Sequence, residues 1–315
     1  MAVAIVLAAG AALLSALAVV FQRVALESAP AGSSLSPRLM THALRKRGWL
    51  IGFGLMLGMF VLQASALRIG QLSVVQPVVT TELIFLVVIL VAGFHRTVGW
   101  SELLGILAIV AGLAGFFTSA SPAVGKGQPD GRAWIVVSVI TVACALGLVA
   151  AGRAGPRWWR AAVLGAASAV LFAYNAALTK TLTTLLRHGG WAHVFENWDP
   201  YLLALTGVSG LFLLQSALHA GPITASRTTN VIINPLASIV IGVTAFSERL
   251  RAGTGFVALD VLALVVMCTG VVVLIRSPLV AGLGATAAAD EYLGGDPLPP
   301  PGGVSGGYTT STGSS

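Results

Sequence analysis

Charge is what this sequence has least of. Asp, Glu, Lys and Arg make up 9% of its 315 residues, hydrophobic residues make up 56%, and the mean hydropathy is +0.90. Soluble globular domains carry about 25% charged residues, so the class of water-soluble proteins is excluded. Apolar runs of about 20 residues, the length of a helix that crosses the hydrocarbon layer of a bilayer, recur along the chain. The sequence therefore predicts an all-α polytopic membrane protein.

Cysteines and catalytic motifs are scarce as well. Cys144 and Cys268 are the two cysteines, and both fall inside apolar runs, so we expect neither a disulfide framework nor a metal cluster. The chain contains no HExxH, GxSxG, Walker A or CxxC motif, and its GKGQPDGR loop lacks the GK[ST] of a nucleotide-binding loop. We expect no enzymatic activity and no cofactor. Although the net charge is +7, no basic and aromatic patch indicates a nucleic-acid partner.

Nine membrane spans are predicted, with bounds near 2–22, 49–67, 72–93, 100–119, 133–152, 161–185, 200–219, 223–246 and 255–275. The first is expected to be a retained helix, because no basic residues precede it as they do in a signal peptide. With the N-terminus outside, ten basic residues fall in cytoplasmic segments and six in external ones. This modest positive-inside bias predicts a cytoplasmic C-terminus. Arginine outnumbers lysine 15 to 3, which is typical of a GC-rich bacterial genome, so we expect the bacterial inner (plasma) membrane.

Two halves of the chain resemble each other. LQASALRIGQLS at 62–73 matches LLQSALHAGPIT at 213–224, and Gln76-Pro77 resembles Asn234-Pro235. Spans 1–4 then correspond to spans 6–9, and a displacement by five spans reverses direction in the membrane. Inverted repeats are typical of secondary transporters, whose substrate site lies between the repeats at the midplane. The predicted domains are a first repeat at 1–119, a linker and connecting helix at 120–152, a second repeat at 153–276, and a disordered cytoplasmic tail at 277–315.

Two segments carry a family resemblance, SVVQPVVTTEL at 73–83 and TTNVIINPLASIVIGVTAFSERL at 228–250. In the second, a proline precedes the Glu248-Arg249 pair by about one helix length. The chain resembles the drug/metabolite transporter superfamily, its EamA-like and NIPA-like branches in particular, over residues 1–276. The resemblance implies two inverted repeats and secondary transport. It also implies an acid before Arg96, where this chain has His95, and, for the magnesium-linked NIPA-like branch, an acid on the second helix, where this chain has none.

Polar groups within spans are costly, by about 2.5–3.5 kcal/mol for a charge, and are therefore functional candidates. Pro77 and Pro235 each remove a backbone donor and are predicted hinges for alternating access. Glu82 is either a proton carrier or a structural link between helices, and Lys180 and Asp260 either pair structurally or take part in transport. No metal ligands are predicted. The predicted substrate- or proton-binding residues are Glu82, Tyr174, Asn175, Lys180, Asn234 and Asp260.

The expected function is secondary transport of a small polar or amphipathic metabolite, coupled to protons or running as exchange. One alternative is a magnesium transporter, which the carboxylate-poor midplane disfavours because hard cations take several oxygen ligands. A second is a lipid-linked-sugar flippase that uses Arg227 and the basic first loop for phosphate, and a third is a non-transporting membrane scaffold. The expected partners are the small-molecule substrate and the lipid bilayer. The oligomeric state is left open, with a homodimer among the options.

Overall fold

A computed structural model describes residues 1–26, 47–94, 98–120, 128–251 and 253–280. Every regular element in these ranges is a helix. The ten helices are α1 Ala2–Leu26, α2 Arg47–Ile69, α3 Leu72–Val79, α4 Glu82–Phe94, α5 Trp100–Ala120, α6 Gly131–Ala151, α7 Arg157–Glu196, α8 Asp199–Ala220, α9 Ile223–Thr244 and α10 Thr254–Arg276. The His95-Arg96 pair and the tail from residue 281 onward lie outside the described residues.

Eight membrane-spanning candidates are present among the described residues, where α3 and α4 together form one of them. Helix α9 has 22 residues, enough to cross a bilayer, but the polar residues of its first half, such as Arg227 and Asn230, make it less apolar than the others. The prediction of an all-α polytopic membrane protein is confirmed. The count of nine spans and their orientation remain predictions.

The third span is broken in its middle. Helix α3 contains Pro77, which has no N–H to donate, and it ends at Val79, while α4 begins at Glu82. The hydroxyl of Thr80 donates to the carbonyl oxygen of Pro77 at 2.6 Å, and Thr81 donates to that of Val78 at 2.7 Å. With the backbone N–H of Thr81, which also donates to the Val78 carbonyl oxygen at 3.0 Å, these bonds satisfy carbonyl groups next to the break, so the interruption is stable inside the protein. Helix α9, in contrast, continues through Pro235.

The helices pack in a recurring pattern. Helix α1 packs against α2, α3 and α4, and α7 packs against α8, α9 and α6. Helix α3 also contacts α9, and α5 packs along α10. The last pair approaches closely at Gly112, where an added Cβ atom would lie 2.6 Å from the carbonyl oxygen of Ala263. Small residues of this kind let helix backbones meet in a membrane.

Candidate functional site

Helices α3 and α9 run side by side in opposite directions. At one end, Gly242 of α9 lies against the start of α3, because a Cβ atom there would be 3.4 Å from the backbone nitrogen of Ser73. Toward the other end, Val231 of α9 packs on the cluster that contains Leu83 and Val87 of α4. The stretch of α9 between these points therefore lies alongside the third span.

Three buried side-chain oxygens belong to these two helices, on Ser73 of α3 and on Asn234 and Ser238 of α9; we call these three residues the polar seam. Asn234 and Ser238 are four residues apart and share a helix face, which Gly242 continues. Within the described part of the chain, the Ser73 and Ser238 hydroxyls and the Asn234 amide oxygen have no hydrogen-bond partner. Both serines are fully buried. Since buried polar groups are normally satisfied, the polar seam is suited to bind water or the polar groups of a ligand.

Sequence reasoning identified Asn234 but missed the two serines. A serine within an apolar helix usually bonds to a carbonyl oxygen of its own helix, as Ser65 does with Val61 at 2.7 Å. By residue type alone, Ser73 and Ser238 do not differ from such serines. The available signal was their position next to Gln76-Pro77 and Asn234-Pro235.

Glu82 lies at the break of the third span. It occupies the first turn of α4, where the helix dipole favours a negative charge. The hydroxyl of Ser15 on α1 donates to its carboxylate at 2.6 Å, and the residue is half-buried. Glu82 thus links α1 to the broken span while part of its surface stays accessible. Both predicted roles, proton carrier and structural link, are compatible with this geometry.

Lys180 and Glu248 form a buried ion pair. The Lys180 ammonium donates to Glu248 at 2.6 Å, and the side chains are 8% and 0% exposed. The same carboxylate accepts the backbone N–H of Leu72 at 2.7 Å and that of Ser73 at 3.0 Å. It therefore caps the N-terminus of α3, where unpaired N–H groups attract an anion. We call this arrangement of Lys180, Glu248 and the two N–H groups the Glu248 lock.

A structural pair between Lys180 and Asp260, one of the two predicted alternatives, is not formed, because each residue has another partner. Asp260 of α10 instead accepts a hydrogen bond from the Ser119 hydroxyl of α5, because these two helices pack along each other. Lys180 lies on α7, which packs on α9. This packing brings the Lys180 side chain to Glu248, just beyond the end of α9. Its ammonium also lies 4.5 Å from the ring centroid of Phe246, a favourable cation–π distance.

Tyr174 and Asn175, also predicted site residues, join α7 to its neighbours. The Tyr174 hydroxyl shares a hydrogen bond of 2.6 Å with Ser138 of α6. The Asn175 amide donates to the carbonyl oxygen of Leu203 at 2.7 Å and to the Thr206 hydroxyl at 3.1 Å, both on α8. These bonds account for their polarity within the fold. A contact between either residue and a substrate remains a prediction.

The site has no evident metal centre. Among the described residues, no three His, Cys, Asp or Glu side chains form a group that could hold a metal ion. Glu82 pairs with a hydroxyl, Glu248 with a cation and Asp260 with a hydroxyl, each on a different helix contact. The polar seam itself offers neutral oxygens, which can take part in hydrogen bonds.

Comparisons with known proteins give a relative without an assigned function. The chain is 29% identical over 266 residues to an uncharacterized protein of Corynebacterium glutamicum, a match that covers 82% of this chain and 89% of the relative. No family model matches the sequence, and no solved structure matches it. The resemblance to the drug/metabolite transporters therefore stays a prediction.

Proposed function

We propose that the protein is a secondary transporter of a small polar or amphipathic metabolite in the bacterial plasma membrane, coupled to protons or running as exchange. The observation that carries this proposal is the polar seam beside a broken membrane span. Unpaired buried oxygens are costly, by about 1–3 kcal/mol each, so a stable protein has little reason to collect them at one helix contact. A pathway for a polar ligand supplies that reason.

Helix packing supports two inverted repeats of the drug/metabolite transporter type. Under the proposed correspondence, α1 and α2 match α7 and α8, the broken pair α3 and α4 matches α9, and α5 matches α10. Helix α1 packs on α2 and on α3 with α4, just as α7 packs on α8 and α9. The matched helices α3 and α9 contact each other, as do α5 and α10. A pseudo-twofold axis between the proposed repeats would produce this pairing.

The proposed mechanism uses the unpaired oxygens of the polar seam. Polar groups of the substrate would donate hydrogen bonds to Asn234 Oδ1 and to the Ser73 and Ser238 hydroxyls. Glu82 lies at the break in the third span, which also contains Ser73, and it would carry a proton. When α1 and α4 separate, its carboxylate would exchange the hydrogen bond from Ser15 for one from water or substrate. The interruption after Pro77 lets α3 and α4 move as separate segments. The N-terminus is proposed to lie outside the cell and the tail in the cytoplasm.

Reconstitution in liposomes tests this proposal. Uptake of a panel of labelled metabolites is measured with and without an imposed pH gradient, for the wild type and for Glu82→Gln. We expect the gradient to drive uptake of a subset of the panel in the wild type and not in Glu82→Gln. The matched control is Glu102→Gln, because Glu102 is also a buried acid but bonds to the backbone N–H of Gly99 at 2.9 Å at the start of its own helix. Gradient-driven uptake that persists in Glu82→Gln refutes the proton-carrier role.

A further inference from the structure

The Glu248 lock lies at one end of the polar seam. Glu248 follows α9, and the N–H groups that it accepts belong to the first two residues of α3. One of these, Ser73, is itself a seam residue. We propose that the Glu248 lock is a gate that closes this end of the polar seam and opens during transport. This inference rests on the proposed transport function.

Local features of the chain place the Glu248 carboxylate in the lock. Ser247 has a φ of 53°, a strained left-handed conformation that non-glycine residues rarely adopt. This turn directs Glu248 back over α9, where its backbone N–H donates to the Gly242 carbonyl oxygen at 3.0 Å. Its carboxylate occupies the space that a side chain at position 242 would fill, since a Cβ atom there would lie 3.0 Å from Glu248 Cδ. A strained turn and a glycine are thus combined to place one carboxylate.

The energetics favour a device that opens over a permanent seal. Burying two charges carries a desolvation cost that their attraction offsets only when the geometry is excellent, and apolar residues of similar volume often seal a core equally well. In the closed state the carboxylate has three donors, so the closed gate is well satisfied. In the proposed open state, Glu248 beyond the end of α9 and Lys180 of α7 would each be solvated by water. If the charged groups have partners in both the closed and the open gate, these two states can lie close in free energy, as a switching element requires.

Opening the lock would expose the seam because it removes the ties between three elements. Lys180 belongs to α7, Glu248 follows α9, and the capped N–H groups begin α3. In the proposed repeats, α3 belongs to the first half and the other two to the second. Release of Glu248 would therefore let the halves part where Ser73 meets Gly242, and water would reach Ser238 from that side of the membrane.

One-sided labelling of a cysteine tests the gate without knowledge of the substrate. Ser238→Cys is placed in the full chain after Cys144 and Cys268 are replaced by alanine, and a membrane-impermeant maleimide is applied to right-side-out and to inside-out vesicles. Glu248→Gln should raise the labelling rate from one face by about tenfold or more, which corresponds to ~1.4 kcal/mol of lost closed-state stability. Labelling from the other face should stay unchanged. An unchanged rate, or an equal rise from both faces, overturns the proposal.

Two single variants separate gating from misfolding, and a double variant separates it from a simple ion pair. Lys180→Met replaces the ammonium group by an apolar side chain of similar length and should give the same one-sided rise in labelling rate. Arg249→Gln, at the exposed neighbouring position, should give none.

The exchange of the two charges, Lys180→Glu with Glu248→Lys, should leave the gate open, because a lysine at position 248 would face the N–H donors of α3. If the exchanged pair restores the slow labelling of the closed gate, the role of Glu248 as a cap of α3 is overturned. Labelling that fits the gate in a protein without measurable transport would refute the proposed function but not the gate.

Discussion

Adding one methyl group at position 242 should displace the Glu248 carboxylate. The new Cβ atom of Gly242→Ala would lie 3.0 Å from Glu248 Cδ and closer still to one carboxylate oxygen. Glu248 cannot retreat without lengthening its bonds to Lys180 and to the backbone N–H groups of Leu72 and Ser73. The substitution therefore probes the Glu248 lock without changing any charge.

The size of the effect follows from these bonds. Hydrogen bonds to charged groups contribute about 1.5–3 kcal/mol each, and two or three are weakened together. Replacement of glycine by alanine within a helix returns about 1 kcal/mol through backbone entropy. We expect a net loss of about 2–4 kcal/mol in the free energy of unfolding. The matched control is Gly147→Ala in α6, where an added Cβ atom has no neighbour within 4 Å, so stability should stay equal or rise by up to about 1 kcal/mol.

Reversible unfolding of the purified protein in detergent, followed by far-ultraviolet circular dichroism, measures both changes. A double-mutant cycle then identifies the cause. In a Glu248→Ala background the carboxylate is gone, and Gly242→Ala should cost less than about 1 kcal/mol. If Gly242→Ala remains as costly without the carboxylate, the clash lies elsewhere and the reasoning about the lock is refuted.

Three other changes test separate parts of the structure. Glu82→Leu removes the acceptor of the Ser15 hydroxyl and should lower the free energy of unfolding by about 1–3 kcal/mol, whereas Glu82→Gln should be tolerated; equal stability of both variants would contradict the structural contact. Gly112→Ala places a Cβ atom 2.6 Å from backbone atoms of α10. It should lower the free energy of unfolding by more than about 2 kcal/mol in the same assay, because the backbone cannot move aside as a side chain can. An unchanged free energy of unfolding would show that α5 and α10 pack less closely. A reporter fused after Ser315 should be active only if it functions in the cytoplasm, and activity of an extracytoplasmic reporter there would overturn the proposed orientation.

The membrane class and the helices could be predicted from the sequence because they depend on local properties. Twenty-residue apolar runs need no tertiary partner to indicate a span, and the described helices agree with the predicted positions. Glu82 was identifiable for the same reason, since a carboxyl group within an apolar run is conspicuous by itself. Pro77 indicated an irregular third span, although the break after Val79 also depends on the hydroxyl bonds of Thr80 and Thr81.

The partners of the charged and polar groups were decided by tertiary structure alone. Glu248 and Asp260 are both acids far from Lys180 in the sequence, and their residue type does not distinguish them as partners. The partner of Lys180 follows from the packing of the helices, α7 on α9 and α5 on α10. The first contact brings Lys180 to Glu248, although the two residues are 68 positions apart in the sequence. The unpaired hydroxyls of Ser73 and Ser238 depend likewise on which helix faces lie against each other. A sequence determines which groups need a partner, but only the assembled helices determine whether a partner is within hydrogen-bonding distance.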